Sequence, residues 1–310
     1  MKNLKVVFMG TPSFAVPVLE KLIENTNVIG VVTQPDKEVG RKKILTKCPV
    51  KLLAEEHNIK VLQPVKLRSE YRDIISLNPD MIITCAYGQI LPFELLDFPK
   101  YKTINVHGSL LPKYRGGAPI QRSIMNGDKT TGITIMRTDA GMDSGDMIAK
   151  QETDILENDN YETLSNKLSI LGAELLIDTL PSILEETCTY TKQNEDEETF
   201  APIIKKEDEI LDFNDTTANI YNKIRALSPT PSCYALLEGE RVKFYDSKIG
   251  TNKSNETGKI INIYKDGIGI STSDVEIIIT KIQMPGKKQM LVRDYLNGNN
   301  ELLKLGKKFN

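Results

Sequence analysis

Apolar positions in the first half of the chain come as short β-branched runs separated by stretches with helical spacing. Residues 4–10 (LKVVFMG), 28–33 (VIGVVT), 60–64 (KVLQP), 80–87 (DMIITCAY), 102–108 (KTINVHG) and 131–139 (TGITIMRTD) read as strands. Between them, 13–25, 49–58 and 118–127 read as helices, with Ser13 able to cap the first and Pro17 tolerated in its first turn. The run at 80–87 is almost continuously apolar, as a parallel strand covered on both faces should be. This alternation predicts an α/β domain with a doubly wound, mostly parallel, Rossmann-like sheet.

The pattern then changes. A long amphipathic helix is predicted over 161–186, with a break at Pro181. Residues 187–209 are polar and lack periodicity, as a linker does. A helix at 217–227 precedes five short strand candidates, CYALLEG, ERVKFYDSKIG, GKIINIYKDG, GIGISTS and VEIIITKIQM, punctuated by glycine turns. Such spacing predicts a small β-barrel. The expected division is a first domain over 1–188, a linker over 189–208 and a second domain over 209–310.

Composition narrows the class. With 40% hydrophobic and 26% charged residues, the 310-residue chain has ordinary globular proportions. Its net charge of −2 excludes a wholesale polyanion binder, but the charge is uneven. Residues 205–310 hold 17 cations against 14 anions, and the last thirty hold seven against two, either a nucleic-acid-facing surface or a solvated tail. Cys48, Cys85, Cys188 and Cys233 are scattered, with no metal-ligand spacing, so no metal is expected and a reducing compartment is. There is neither a signal-peptide pattern nor an apolar run of about 18 residues. The expectation is a cytoplasmic monomer with no membrane partner.

The chemistry concentrates in TINVHGSLLPKYRGGAPIQ, residues 103–121. Asn105 and His107, two apart on a strand, share one face, while Ile104 and Val106 take the other. An amide that stabilises an oxyanion then lies beside an imidazole that moves protons, at a strand end where such sheets bind ligands. An orienting acid is missing. The loop RTDAGMDSGDMIA offers Asp139, Asp143 and Asp146, and spacing does not choose among them. Residues 109–112 (SLLP) are apolar for a loop, able either to line a pocket for a flat ring or to pack beneath it. A long loop at 33–49, without predicted structure, carries Lys37, Arg41, Lys42, Lys43 and Lys47 and suits a phosphate backbone. His57, at a helix C-terminus, reads as structural, and no dinucleotide or P-loop motif follows the first strand.

The segments GTPSFAVPVLEKL, VVTQPDKEVGRKK, CAYGQILP, NVHGSLLPKYRGGAPIQRSI, DAGMDSGDM and FAPIIKKEDEILDF together resemble methionyl-tRNA formyltransferases over nearly the whole chain. The resemblance implies the formyltransferase fold with an OB-like, tRNA-contacting C-terminal domain. It implies 10-formyltetrahydrofolate as donor and initiator methionyl-tRNA as acceptor, in translation initiation. It places the catalytic residues at Asn105, His107 and Asp143, so it selects among the three carboxylates. It places the folate carrier at Ser109, Leu110, Leu111 and Pro112, and the acceptor end of the tRNA at the basic loop through Arg41, with Lys42 and Lys43 beside it. One departure is visible: many relatives carry a Trp near SPTPSCY, where this chain has Thr230 and no Trp at all. Two alternatives remain at this level, a folate-dependent formyltransferase acting on a small amine and a non-catalytic RNA- or nucleotide-binding protein. The basic loop and the C-terminal barrel speak against the first.

Overall fold

The computed structural model describes residues 1–40, 42–298 and 302–310. In chain order the first elements are β1 (Lys5–Gly10), α1 (Val16–Asn25), β2 (Asn27–Val32), β3 (Lys37–Val39), β4 (Ile44–Thr46), α2 (Pro49–Glu56) and β5 (Val61–Leu62). There follow α3 (Leu67–Glu70), α4 (Arg72–Ser76), β6 (Met81–Cys85), α5 (Phe93–Asp97), β7 (Thr103–His107), α6 (Pro119–Met125), β8 (Thr130–Arg137), β9 (Met147–Asp154) and α7 (Tyr161–Leu184). Seven strands form one sheet in the order β5-β2-β1-β6-β7-β8-β9. The pairs from β5 through β7 are parallel, and β7-β8 and β8-β9 are antiparallel. Every residue of β6 is buried, which explains its unbroken apolar sequence.

Helix α7 runs on through Pro181 and stops three residues later, so the expected break becomes an end. Gly172 lets it lie close to the sheet: a Cβ there would meet Val106 Cγ1 at 2.9 Å and Ile133 at 3.5 Å. That contact presses on the back of β7 and leaves Asn105 and His107 to the other face.

The chain divides into two compact units. One comprises Met1–Pro119, Thr130–Asp154 and Ser165–Pro202; the other comprises Ile120–Lys129, Ile155–Leu164 and Ile203–Asn310. The segment read as a linker is thus parted at Pro202. Its first part is bound to the first unit by backbone hydrogen bonds, Met147 with Thr191 and Arg115 with Thr199 and Ala201.

In the second unit, α8 (Thr217–Leu227) precedes β10 (Cys233–Leu237), β11 (Glu240–Ile249), β12 (Ile260–Ile263), β13 (Ile268–Ser271), β14 (Glu276–Gln283), β15 (Met290–Leu291) and α9 (Val292–Leu296). The antiparallel order β10-β11-β14-β13-β12, with β15 on β14, is closed by the chain end. Leu236 exchanges both backbone hydrogen bonds with Asn310, and on the other side Phe309 bonds Gly258 and Ile260 bonds Lys307. Phe309 is buried against Phe213 and Phe244, with ring centroids 5.7 and 5.5 Å away. The lysine-rich tail therefore ends as a wall of the barrel.

Inside this unit lies a carboxylate that has no ion pair among the described residues. Glu276 is fully buried and accepts from Asn252 Nδ2 at 2.6 Å, Tyr264 Oη at 2.7 Å and Asn262 Nδ2 at 2.9 Å. Burial alone would raise its pKa, and the hydrogen bonds from Asn262, Tyr264 and Asn252 outweigh it, so the carboxyl sits below its ordinary value of 4.5. A depressed carboxyl stabilises the fold above its unfolded pKa and loses that contribution as pH falls through the folded value. Thermal melting between about pH 5 and pH 3 should show this loss, and Glu276→Gln should cost ~2 kcal/mol at neutral pH and flatten the acid slope. An unchanged slope in the variant would contradict the assignment.

Candidate active site

Strand β7 ends at the carboxyl edge of the parallel sheet and carries the Asn–His pair there. Ile104 and Val106 are buried, Asn105 is half-buried, and His107 is 5% exposed. The Asn105 amide is oriented from below: Thr84 Oγ1, on β6, donates to Asn105 Oδ1 at 2.9 Å, which turns Nδ2 toward the loop 138–146.

Of the three candidate carboxylates, Asp143 reaches the pair. Its Oδ2 lies 3.6 Å from His107 Nδ1 and its Oδ1 lies 3.5 Å from Asn105 Nδ2. Asp139 is occupied elsewhere, accepting from Ser144 Oγ at 2.8 Å and the Gly141 N–H at 3.0 Å. Asp146 lines a cleft on the same loop. The Gly116 N–H holds Asp143 Oδ2 at 2.9 Å.

His107 Nε2 is 3.0 Å from the Tyr114 carbonyl, which can only accept. That nitrogen therefore carries a hydrogen, and Nδ1 is the atom that faces Asp143. Both ring nitrogens thus confront acceptors, the Tyr114 carbonyl on one side and the Asp143 carboxylate on the other. The separations to Asp143 are longer than a good hydrogen bond, leaving Asn105 Nδ2, His107 Nδ1 and the carboxylate around one point without closing on each other.

The segment 109–112 packs inward. Ser109 is fully buried and donates to the Lys113 carbonyl at 2.6 Å, Leu111 clusters with Met136 and Met147, Pro112 is buried, and Leu110 is half-buried. The open space nearby has other walls. A cleft of about 280 Å³ is lined by Phe93, Leu96, Arg137, Thr138, Asp139 and Asp146 among others. Phe93 is largely exposed, and among the described residues the buried Thr138 hydroxyl has no hydrogen-bond partner. Sequence reasoning did not single out Phe93, Leu96, Arg137 or Thr138, nor Thr84, Tyr114 or Gly116. The backbone contacts of Tyr114 and Gly116 leave no side-chain signature.

The basic loop is a hairpin. Strands β3 and β4 pair antiparallel, with Val39 opposite Ile44, and Lys42 and Lys43 are exposed between them. Arg41 lies outside the described residues. Val39, Ile44 and Leu45 are all more than half exposed, so the arm presents apolar as well as cationic surface. Its root is tied down where Lys51 Nζ donates to Asp36 and Gln63, both at 2.7 Å. Those bonds from Lys51 and Gln63 hold the Asp36 carboxyl below its usual range.

Residues 3–180 match the family model described as formyl transferase, and residues 203–300 match formyl transferase, C-terminal domain. The methionyl-tRNA formyltransferase of Bacillus subtilis (strain 168) is 49% identical over 299 residues, covering 95% of this chain and 94% of that protein. That of Staphylococcus aureus (strain bovine RF122 / ET3-1) is 47% identical over 308 residues, covering 98% and 99%. The solved N-formyltransferase from Helicobacter canadensis, in complex with folinic acid and dTDP-3-aminofucose, shares the fold. Its TM-score is 0.64 at 21% identity, with 94% of this chain and all of that one covered.

Gly116 tests how the carboxylate is held. Its φ of +119° is a conformation L side chains rarely adopt, and a Cβ would stand 2.8 Å from the Ala201 carbonyl oxygen. Gly116→Ala should cost at least ~2 kcal/mol in urea denaturation. A midpoint equal to wild type would show that the backbone here is not constrained.

Proposed function

This chain belongs to the methionyl-tRNA formyltransferase family, and we propose that it moves the formyl group of 10-formyltetrahydrofolate onto the α-amine of methionyl initiator tRNA. The observation that carries the reading is the convergence of Asn105 Nδ2, His107 Nδ1 and the Asp143 carboxylate on one point at the sheet's carboxyl edge. A reaction that passes an acyl group between two amines needs a donor to the developing oxyanion and an acceptor for the amine proton, and these groups supply both.

The bound donor supplies an electrophilic formyl carbon. Asn105 Nδ2, and His107 once protonated at Nδ1, face the oxygen on which charge grows, the Asn donor contributing about 3–4 kcal/mol. Asp143 takes the proton released by the attacking amine, directly or through one water, steadies the imidazolium beside it, and returns a proton to the donor nitrogen as that nitrogen's bond to the formyl carbon breaks and tetrahydrofolate leaves. An unperturbed α-amine titrates near about pH 7.7, so part of it is neutral and nucleophilic at neutral pH.

In this reading the donor's flat ring occupies the cleft lined by Asp139, Ala140, Gly145 and Asp146, residues that flank Asp143 along its loop. Phe93 and Leu96 offer an apolar face, and the carboxylates of Asp139 and Asp146 accept hydrogen bonds from amide and amino edges. In this reading Ser109, Leu110, Leu111 and Pro112 shape the loop from beneath. The hairpin takes the acceptor end of the tRNA, Arg41, Lys42 and Lys43 meeting phosphates.

Transfer of labelled formyl from the folate donor to charged initiator tRNA tests the proposal, with small amines as competing acceptors. Asn105→Ala, His107→Ala and Asp143→Ala should each lower kcat by roughly 10²–10³ while the proteins stay folded. Near-normal turnover in any one removes that residue from the scheme, and transfer to small amines alone would overturn the tRNA reading. Affinity for tRNA should fall steeply with salt as phosphate contacts release counterions, and a flat plot of log K against log[salt] would contradict a backbone-contacting arm.

A further inference from the structure

For Asp143 to act, something must hold its loop in place. Asp143 has a left-handed backbone, φ 50°, a turn that Asp adopts more readily than most residues. Its carbonyl and that of Gly145 turn toward the segment 191–201. There Gln193 Nε2 donates to Asp143 O at 2.7 Å and to Gly145 O at 2.8 Å. One side-chain amide thus spends both of its N–H groups on the two carbonyls that flank the bend.

Gln193 is itself held. Its Oε1 accepts from Arg115 Nε at 2.9 Å, which fixes the amide's orientation. The Arg115 side chain is 7% exposed and pairs through its guanidinium with Glu198. The strap is also stitched down at both ends. Thr191 and Met147 exchange both backbone hydrogen bonds at 2.8 Å, the Arg115 N–H donates to Thr199 O at 2.8 Å, and the Ala201 N–H donates to Arg115 O at 2.7 Å. The strap reaches the histidine side too: Thr199 Oγ1 accepts from the Tyr114 N–H, and the Tyr114 carbonyl bonds His107 Nε2.

From this chain of contacts we infer that Gln193 is a positioning residue for the formyl transfer, aligned by Arg115 and Glu198 and acting through the backbone of Asp143. The inference rests on the catalytic reading of Asp143. Asp143 sits 3.5–3.6 Å from its partners, so a small shift of its loop changes whether the carboxylate meets the reacting amine. Partners that orient metal ligands are typically worth about 10- to 100-fold in activity, and the same scale is expected for a partner that orients a carboxylate.

Gln193→Glu separates positioning from simple anchoring. It keeps, and strengthens, the acceptor for Arg115, but it sets an oxygen against two carbonyl oxygens. Gln193→Met removes both functions at similar volume. With formyl donor and charged tRNA as substrates, both variants should lower kcat by about 10- to 100-fold and leave each KM within about twofold. On an Asp143→Ala background the same changes should cost almost nothing further.

A Gln193→Glu enzyme with wild-type kcat, or a loss that repeats in full without Asp143, would overturn the inference. If Asp143→Ala alone turns over normally, the catalytic reading of Asp143 falls and takes the inference with it; an impaired Asp143→Ala beside an intact Gln193→Glu sinks the inference alone. Should the Gln193 variants not fold, Glu198→Ala carries the same test from a partly exposed position. A smaller fall in kcat at unchanged KM supports the inference, and an unchanged kcat overturns it.

Discussion

Asp143 lies on an irregular loop, yet its carboxylate must arrive within reach of two groups fixed on a strand. Three constraints meet there: the Gly116 N–H on Oδ2, the left-handed backbone at Asp143 itself, and the amide of Gln193 on the neighbouring carbonyls. Asn105 and His107 are rigid by comparison, since β7 is pressed from behind by α7 at Gly172 and paired on both sides. The site's geometry therefore depends on how well the loop is tied to the strand.

The histidine shows the same economy. The Tyr114 carbonyl settles which nitrogen carries the permanent hydrogen, and so leaves Nδ1 as the atom that faces Asp143. Asn105 is settled by Thr84 in the same manner. Neither Thr84 nor Tyr114 meets the acyl group in this account, but each decides which polar atom does.

Much of this was legible in the sequence where regular periodicity operates. The two-residue spacing of Asn105 and His107 placed them on one face, and the apolar runs placed that face at a sheet edge. The barrel strands were equally visible, with α8 and the bodies of β10, β11, β13 and β14 falling inside their predicted stretches. What stayed hidden was set by backbone hydrogen bonding. Strands β3 and β4 are three residues each and carry exposed apolar side chains, so no alternation marks them. The strap at 191–201 is polar and aperiodic because it is held by carbonyls, N–H groups and one buried arginine. The choice of Asp143 over Asp139 and Asp146 came from family resemblance, since loop path is not encoded in spacing. The chain end closes the barrel through a few backbone bonds and one buried ring, Phe309, where charge counting left open a nucleic-acid-facing surface or a solvated tail.

If Asn105, His107 and Asp143 act on one transition state, their contributions cannot be independent. The most direct measurement is single-turnover formyl transfer to charged tRNA in His107→Ala, Asp143→Ala and the double variant, at saturating donor. The account predicts a double variant about as slow as the slower single one, because removing either partner already disables the pair. Losses that multiply in full would contradict it and return the two residues to separate roles.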